Sequence, residues 1–321
     1  MSFDATQALT AAATVAGRAP SIHNTQPWRF VVDGPVLELH TEPSRWLTEL
    51  DPDGHMMLVS CGAAVHHASV ALAADGWQTE IDRPAGMDGD LLARIRVTGR
   101  GEADPVAVRR LAATVRRHTD RRTVPAEPVP ADALAAVVEA VVAADRDAHV
   151  LGREQVVELA VAMEKAMHAE DTDDRQRAEL SRWVGGVRAG GTGVPGTSIP
   201  AEAPQTTVPA RNFGVSGTLA AGMGHDESAV FVVIYGPGDG PVDWLRAGEA
   251  LSAAWLDAVD HGLTLMPVSA PAEIASTRLL LQRLVSYVGY PYLVFRLGVA
   301  PGDAPEGTPR LPAEQTIDVR P

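Results

Sequence analysis

Between Pro20 and Trp28 the chain reads Pro20-Ser21-Ile22-His23-Asn24-Thr25-Gln26-Pro27-Trp28. Ser21, His23, Asn24 and Gln26 offer hydrogen-bond donors and acceptors beside one indole. Pro20, Ser21, Asn24 and Pro27 supply turn chemistry, so the stretch must at least reverse the chain. It carries more polar side chains than a turn requires. Two readings stand at this point, an ornate helix-to-strand connector or a binding loop.

One other place has side chains suited to a ligand. Arg121, Arg122 and Thr123 put two guanidinium forks beside a hydroxyl, a set that suits phosphate, although an exposed charge pair would look the same. Other chemistries find little support. Gly191-Thr-Gly193-Val-Pro-Gly196 has the spacing of a dinucleotide loop, but no strand precedes it and Pro195 interrupts a following helix. His66 and His67 are adjacent and point to different helix faces, which argues against a metal site. Gly214-Val-Ser216-Gly lacks a glycine of the nucleophile elbow.

The elements that must position these residues follow from periodicity. Helices are expected at 4–17, 56–75, 132–144, 153–170 and 243–262, and strands at 29–40, 92–98, 229–235 and 292–299. Residues 54–74 carry no acidic or basic side chain and are long enough to cross a membrane. His55, Ser60, His66, His67 and Ser69 within them favour a helix buried in protein. The chain also resembles itself. Gly62 to Gly76 can be laid on Gly248 to Gly262, each ending in a glycine suited to a C-cap. The strands that follow, Ala93 to Val97 and Leu293 to Leu297, correspond as well. Two copies of one α+β unit are expected, residues 1–117 and 118–321. Residues 171–226 are rich in glycine and proline and read as a lid, with Trp183 and Phe213 as its docking points.

Composition bounds the partners. The 321 residues are 45% hydrophobic and 21% charged, which is globular. A net charge of -14 argues against nucleic acid or an anionic membrane surface. Cys61 is the single cysteine, so no disulfide forms within the chain. The N-terminus lacks a signal-peptide pattern, and a cytoplasmic location is expected.

The loop at 20–28 closely resembles the P-S-x-x-N-x-Q-P-W loop of the FMN-dependent nitroreductase family. The layout as a whole resembles the family's Acg-type branch, in which fused subunits carry a lid over the flavin. The resemblance implies an α+β nitroreductase-like fold, two fused halves each with a mostly antiparallel sheet and packed helices, mimicking the family homodimer. It implies FMN as cofactor, held by Pro20, Ser21, Ile22, His23, Asn24 and Gln26 from one half. From the other half come Arg121, Arg122, Thr123, Pro267, Ser269, Ala270 and Arg310. Laid on the family's R-R-S-x-R phosphate motif, Arg121 and Thr123 take the arginine and hydroxyl places and Pro125 takes the last basic one. Each half keeps only part of the motif set, so one site per chain and a monomer are expected. No side chain need be catalytic, because the flavin carries hydride from NAD(P)H to a nitroaromatic or quinone-like acceptor. The alternative implied by the lid is a flavin-sequestering protein with little turnover.

Overall fold

The protein is described here by a computed structural model covering residues 2–84, 89–186, 188, 190–222 and 224–320. In chain order it contains α1 (Ser2–Ala16), β1 (Trp28–Asp33), β2 (Val36–Thr41), α2 (His55–Ala74), β3 (Trp77–Asp82), β4 (Leu91–Arg100) and α3 (Pro105–Arg116). Then follow α4 (Ala131–Ala143), β5 (Asp147–Val150), α5 (Arg153–Thr172), α6 (Asp174–Ser181), β6 (Val230–Gly236) and α7 (Pro241–Asp260). The chain finishes with β7 (Leu263–Val268), α8 (Ala270–Glu273), α9 (Ala275–Leu284), β8 (Tyr290–Val299) and β9 (Ile317–Val319).

Two sheets result. One has the order β3-β4-β2-β1-β9 and the other β7-β8-β6-β5 when read from β7. The α+β expectation therefore holds, and the two halves repeat one strand order. All pairings are antiparallel except β1 with β9, which run parallel. That last strand carries the second half's C-terminal segment into the first half's sheet.

The strand expected over 29–40 is a hairpin instead. Gly34, at φ 52, makes the turn, and Asp33 faces Val36 across it. A left-handed glycine between two alternating runs splits them into paired strands. Helix α3 was not expected, although Asp104 caps it by accepting from the Val106 N–H at 2.9 Å and Pro105 opens it.

Helices α2 and α7 cross at the centre, where both carry a glycine. A Cβ on Gly62 would lie 1.8 Å from the Leu245 carbonyl oxygen, and one on Gly248 would lie 2.0 Å from that of Val59. The shift that carries Gly62 to Gly248 also carries Val59 to Leu245. The crossing is thus a pseudo-two-fold axis, and only glycine permits so close an approach. His66 meets Ser252 near it, with His66 Nδ1 and Ser252 Oγ 2.8 Å apart. The apolar stretch at 54–74 is α2 itself, mostly buried in the core, as its histidines and serines indicated. Both helices end at a left-handed glycine, Gly76 at φ 79 and Gly262 at φ 73.

The segment 171–226 has little regular structure after α6; its residues 187, 189 and 223 lie outside the described residues. Leu180, Trp183, Val184, Val194, Ile199 and Phe213 bury themselves against Leu47 and Leu50 of the first half. Trp183 and Phe213 are docked as expected, 5% and 9% exposed.

Candidate functional site

A cavity of about 570 Å3 lies where the two halves meet. Its floor is α2 and α7, through Val59, Ser60, Ala63, Leu251 and Trp255. One wall is the loop Pro20 to His23; another is Met266 to Ala270 at the end of β7. Thr119 and Arg121 close a third side, and residues from Ile199 to Ser216 line the rest. The loop is held in a demanding conformation. His23, Asn24 and Gln26 have φ of 44, 55 and 51, values that non-glycine residues adopt only when surroundings enforce them. The enforcers are two serines. Ser21 Oγ accepts from the Gln26 N–H at 2.9 Å, and Ser60 Oγ accepts from the Ile22 N–H at 3.1 Å.

Of the arginines lining this cavity, Arg211 and Arg296 are paired with carboxylates and Arg121 is not; Arg117 and Arg310, which adjoin its lining residues, are also without a carboxylate. Arg121 donates to the Ser198 carbonyl at 3.1 Å, and its guanidinium lies 5.2 Å from the Phe213 ring centre. Arg117 stacks 4.5 Å over Trp255 and donates at 3.4 Å to the Arg18 carbonyl; Arg310 donates to the same carbonyl at 3.2 Å and to that of Ala19 at 3.3 Å. The Nε atoms of Arg117 and Arg310 are buried and have no acceptor. Burial pushes Arg117 down to about 9, helped by Arg310, and pushes Arg310 down to about 10. Arg121 falls to about 10, through burial first and the nearby Arg211 second. Among the described residues no carboxylate lies within ion-pair distance of any of the three. A buried Arg117 and half-buried Arg121 and Arg310 without carboxylates leave positive charge that an anion would offset.

Not every candidate residue reaches the cavity. Pro20, Ser21, Ile22, His23, Arg121, Pro267, Ser269 and Ala270 line it, whereas Asn24, Gln26, Arg122, Thr123 and Arg310 do not. Asn24 Nδ2 donates to the carbonyls of Gly193 at 3.0 Å and Pro309 at 3.1 Å, while its Oδ1 accepts from Arg310 at 3.1 Å. Gln26 donates to Gly191 at 2.7 Å and accepts from the Leu311 N–H at 2.9 Å. These two side chains fasten residues 191–193 and the C-terminal segment to the loop. Arg122 is engaged by Asp120, at 2.9 and 2.7 Å, and Thr123 packs against Gly222. Two residues were overlooked, Arg117 and Thr119. The basic–x–hydroxyl–x–basic pattern sought from Arg121 occurs complete four positions earlier, in Arg117-His118-Thr119-Asp120-Arg121, with no proline in a basic place.

The segment 199–216 is anchored by charge. Arg211 makes a bidentate pair with Glu273, 2.8 and 2.9 Å, and reaches Glu170 at 3.0 Å. Burial raises Glu170 above the ordinary carboxylate range against the pull of Arg211.

The pseudo-two-fold gives the cavity a counterpart of about 370 Å3. The shift that relates the helices carries Ser60 to Arg246, Ala63 to Glu249 and Arg83 to Ser269. Small wall residues on one side are charged ones on the other. Arg83 pairs with Glu249 at 2.7 and 2.6 Å, Arg110 with Asp257 at 2.6 and 2.8 Å, and Arg246 with Asp145. The counterpart neutralises its own cations.

No protein-family model matches the chain. It is 36% identical over 315 residues to a protein of Mycobacterium tuberculosis (strain ATCC 25618 / H37Rv) named "Putative NAD(P)H nitroreductase Rv3131", covering 95% of this chain and 89% of that one. It is 31% identical over 325 residues to "Putative NAD(P)H nitroreductase acg" of the same strain, covering 98% and 96%. Among solved structures, the FMN and NADPH-dependent nitroreductase NfnB of a Sphingopyxis strain aligns with a TM-score of 0.43 at 17% identity, over 66% of this chain and 99% of that one.

Proposed function

The chain belongs to the NAD(P)H nitroreductase family, in the branch that includes acg, and on that premise we propose that it is a cytoplasmic, monomeric FMN-binding oxidoreductase. Its reductant is NAD(P)H and its acceptor a nitroaromatic or quinone-like molecule. Residues 1–117 and 118–321 act as the two subunits of an internal dimer, and 171–226 as a lid.

The observation that carries the cofactor assignment is a trio of arginines without carboxylates, Arg121 on the wall of a cavity of about 570 Å3 and Arg117 and Arg310 against residues that line or adjoin it. Arg117, Thr119, Arg121 and Arg310 supply forks and a hydroxyl for the phosphate end. Pro20, Ser21 and Ile22 flank the cofactor from the first half. Pro267, Ser269 and Ala270 line the opposite wall, where Ser269 and Ala270 would offer backbone N–H groups to the ring edge. Asn24, Gln26, Arg122 and Thr123 hold the segments that shape the cavity. FMN supplies the two-electron redox chemistry when bound. The chain's own part is to neutralise the phosphate, fix the ring and keep water out beneath residues 199–216.

Titration of the purified protein with FMN and with riboflavin, followed by the visible flavin band, tests this. FMN binds about 100-fold more tightly than riboflavin, the worth of two charge-assisted contacts. Arg117→Ala removes most of that difference. A protein that purifies colourless and takes up no FMN refutes the assignment.

A second reading draws on the cover: with residues 199–216 over the cavity and Arg211 clamped by two carboxylates, the protein would sequester flavin and turn over little. Rapid bleaching of the loaded, intact protein by NADPH supports the enzyme. Bleaching only after deletion of residues 180–215 supports sequestration.

A further inference from the structure

His23, Thr25 and Trp28 of the loop each have a buried polar atom without a hydrogen-bond partner, and of these three His23 is the one that lines the cavity. It is 6% exposed and lines the cavity, yet its Nε2 is buried without a partner. Asn24 and Gln26 beside it each make several hydrogen bonds to neighbouring segments. The loop nevertheless holds His23 at φ 44, a conformation that costs free energy and is kept where surroundings over-determine it. Its ring meets Phe213 of the cover edge to face, with centroids 6.1 Å apart and planes at 83°. The guanidinium of Arg121 stands on the same Phe213 ring. Burial, with Arg211 and Arg121 adding repulsion, keeps the imidazole neutral. A neutral imidazole offers one N–H to an oxygen without bringing a charge of its own.

We propose that His23 and Phe213 form the acceptor-recognition corner of the cavity. The Phe213 ring packs against a planar aromatic acceptor and the Nε2–H of His23 donates to that molecule's nitro or carbonyl oxygen. This rests on the oxidoreductase reading and adds to it the residues that choose the second substrate. The division of labour is physical. Arg117, Arg121 and Arg310 meet the anionic cofactor, and the uncharged His23 meets a group that is polar but need not be ionised. His23 joins the two because its backbone belongs to the cofactor loop while its ring contacts the cover. A lid that opened would therefore take away one wall of the acceptor site and leave the cofactor's cations in place.

The test uses intact, FMN-loaded oxidised protein and 4-nitrobenzoate, a nitroaromatic anion whose binding perturbs the flavin spectrum. His23→Asn is the first variant, since Asn tolerates positive φ better than most residues. Phe213→Ala is the second. Each is expected to weaken 4-nitrobenzoate about 10-fold, the worth of one hydrogen bond or one aromatic contact. FMN affinity stays unchanged in both. The conservative His23→Gln, which restores a longer donor, recovers part of the binding. Equal 4-nitrobenzoate affinity in wild type and both variants overturns the proposal, and so does a parallel fall in FMN affinity, which would make His23 a cofactor ligand. Wild-type protein that holds FMN but shows no 4-nitrobenzoate binding also overturns it, without touching the cofactor assignment. Failure to bind FMN at all overturns both.

Discussion

Asp51 sits at the head of α2, where Oδ1 accepts from the Met56 N–H at 3.1 Å and Oδ2 from the Met57 N–H at 2.9 Å. Those bonds favour the charged form. Burial outweighs them, and with the neighbouring Glu273 it lifts the carboxyl to about 7. An unfolded chain releases this proton near pH 4, so the folded state holds it alone between about pH 4 and about pH 7. Stability therefore falls as pH rises through that window. Asp51→Asn removes the titration, and thermal melts should show the variant gaining on wild type by several degrees between pH 5 and pH 8. An unchanged difference across that range would show that Asp51 is already ionised in the folded protein. At this scale the sequence was half legible. The donors at 20–28 were recognisable by type, but type does not tell which are aimed at a ligand. Asn24 and Gln26 serve Gly191, Gly193 and the C-terminal segment, destinations more than a hundred residues away that no local pattern reveals. Arg117 was legible and overlooked, because the pair Arg121-Arg122 drew the motif four positions too far along. Only burial separates the unpaired Arg117 from the paired Arg122.

The pairing of α2 with α7 was foreshadowed by the two laid-over segments, down to the closing glycines. What could not be read was why Gly62 and Gly248 are glycine. Their spacing looks like the start of a repeat, whereas each is the point at which one helix meets the other's carbonyl. Gly62→Ala or Gly248→Ala forces the helices apart, since a Cβ would sit 1.8 or 2.0 Å from backbone oxygen. A loss of about 3 kcal/mol or more is expected for either by denaturant unfolding. Gly34→Ala, where a Cβ meets nothing within 4 Å and only φ is unfavourable, should lose about 1 kcal/mol. Equal losses at the three positions would contradict the crossing. The hairpin at 28–41 and helix α3 were missed for a different reason. Their signals are single residues, Gly34 and the Asp104-Pro105 cap, set inside patterns that read continuously without them.

Over the whole molecule the two halves share a strand order and differ in what they leave open. One inter-half cavity has Ser60, Ala63 and Ser269 on its walls; its counterpart has Arg246, Glu249 and Arg83 in those places. Ion pairs occupy the space and satisfy the cations there, so no charge is left to attract a phosphate. Calorimetric titration should saturate at one FMN per chain, and saturation at two would refute the closed counterpart. The repeat was visible in sequence, and so was the uneven sharing of motifs between the halves. The ion pairs were not, since Arg83, Arg246 and Glu249 resemble ordinary surface charges until the folded halves bring them together.

One feature of the C-terminal segment bears on how the protein is made. Strand β9 pairs with β1, Phe30 against Ile317 and Val32 against Val319, and Arg310 lies just upstream of it. During synthesis the edge of β1 emerges from the ribosome early and waits for almost the entire chain before its partner appears. Contacts of such sequence separation slow folding, and an unpaired strand edge is open to other chains in the meantime. Arg310, which donates to Asn24 and to the Arg18 and Ala19 carbonyls, is missing for the same interval, so the loop at 20–28 gains its full set of supports only after translation has passed the C-terminal segment.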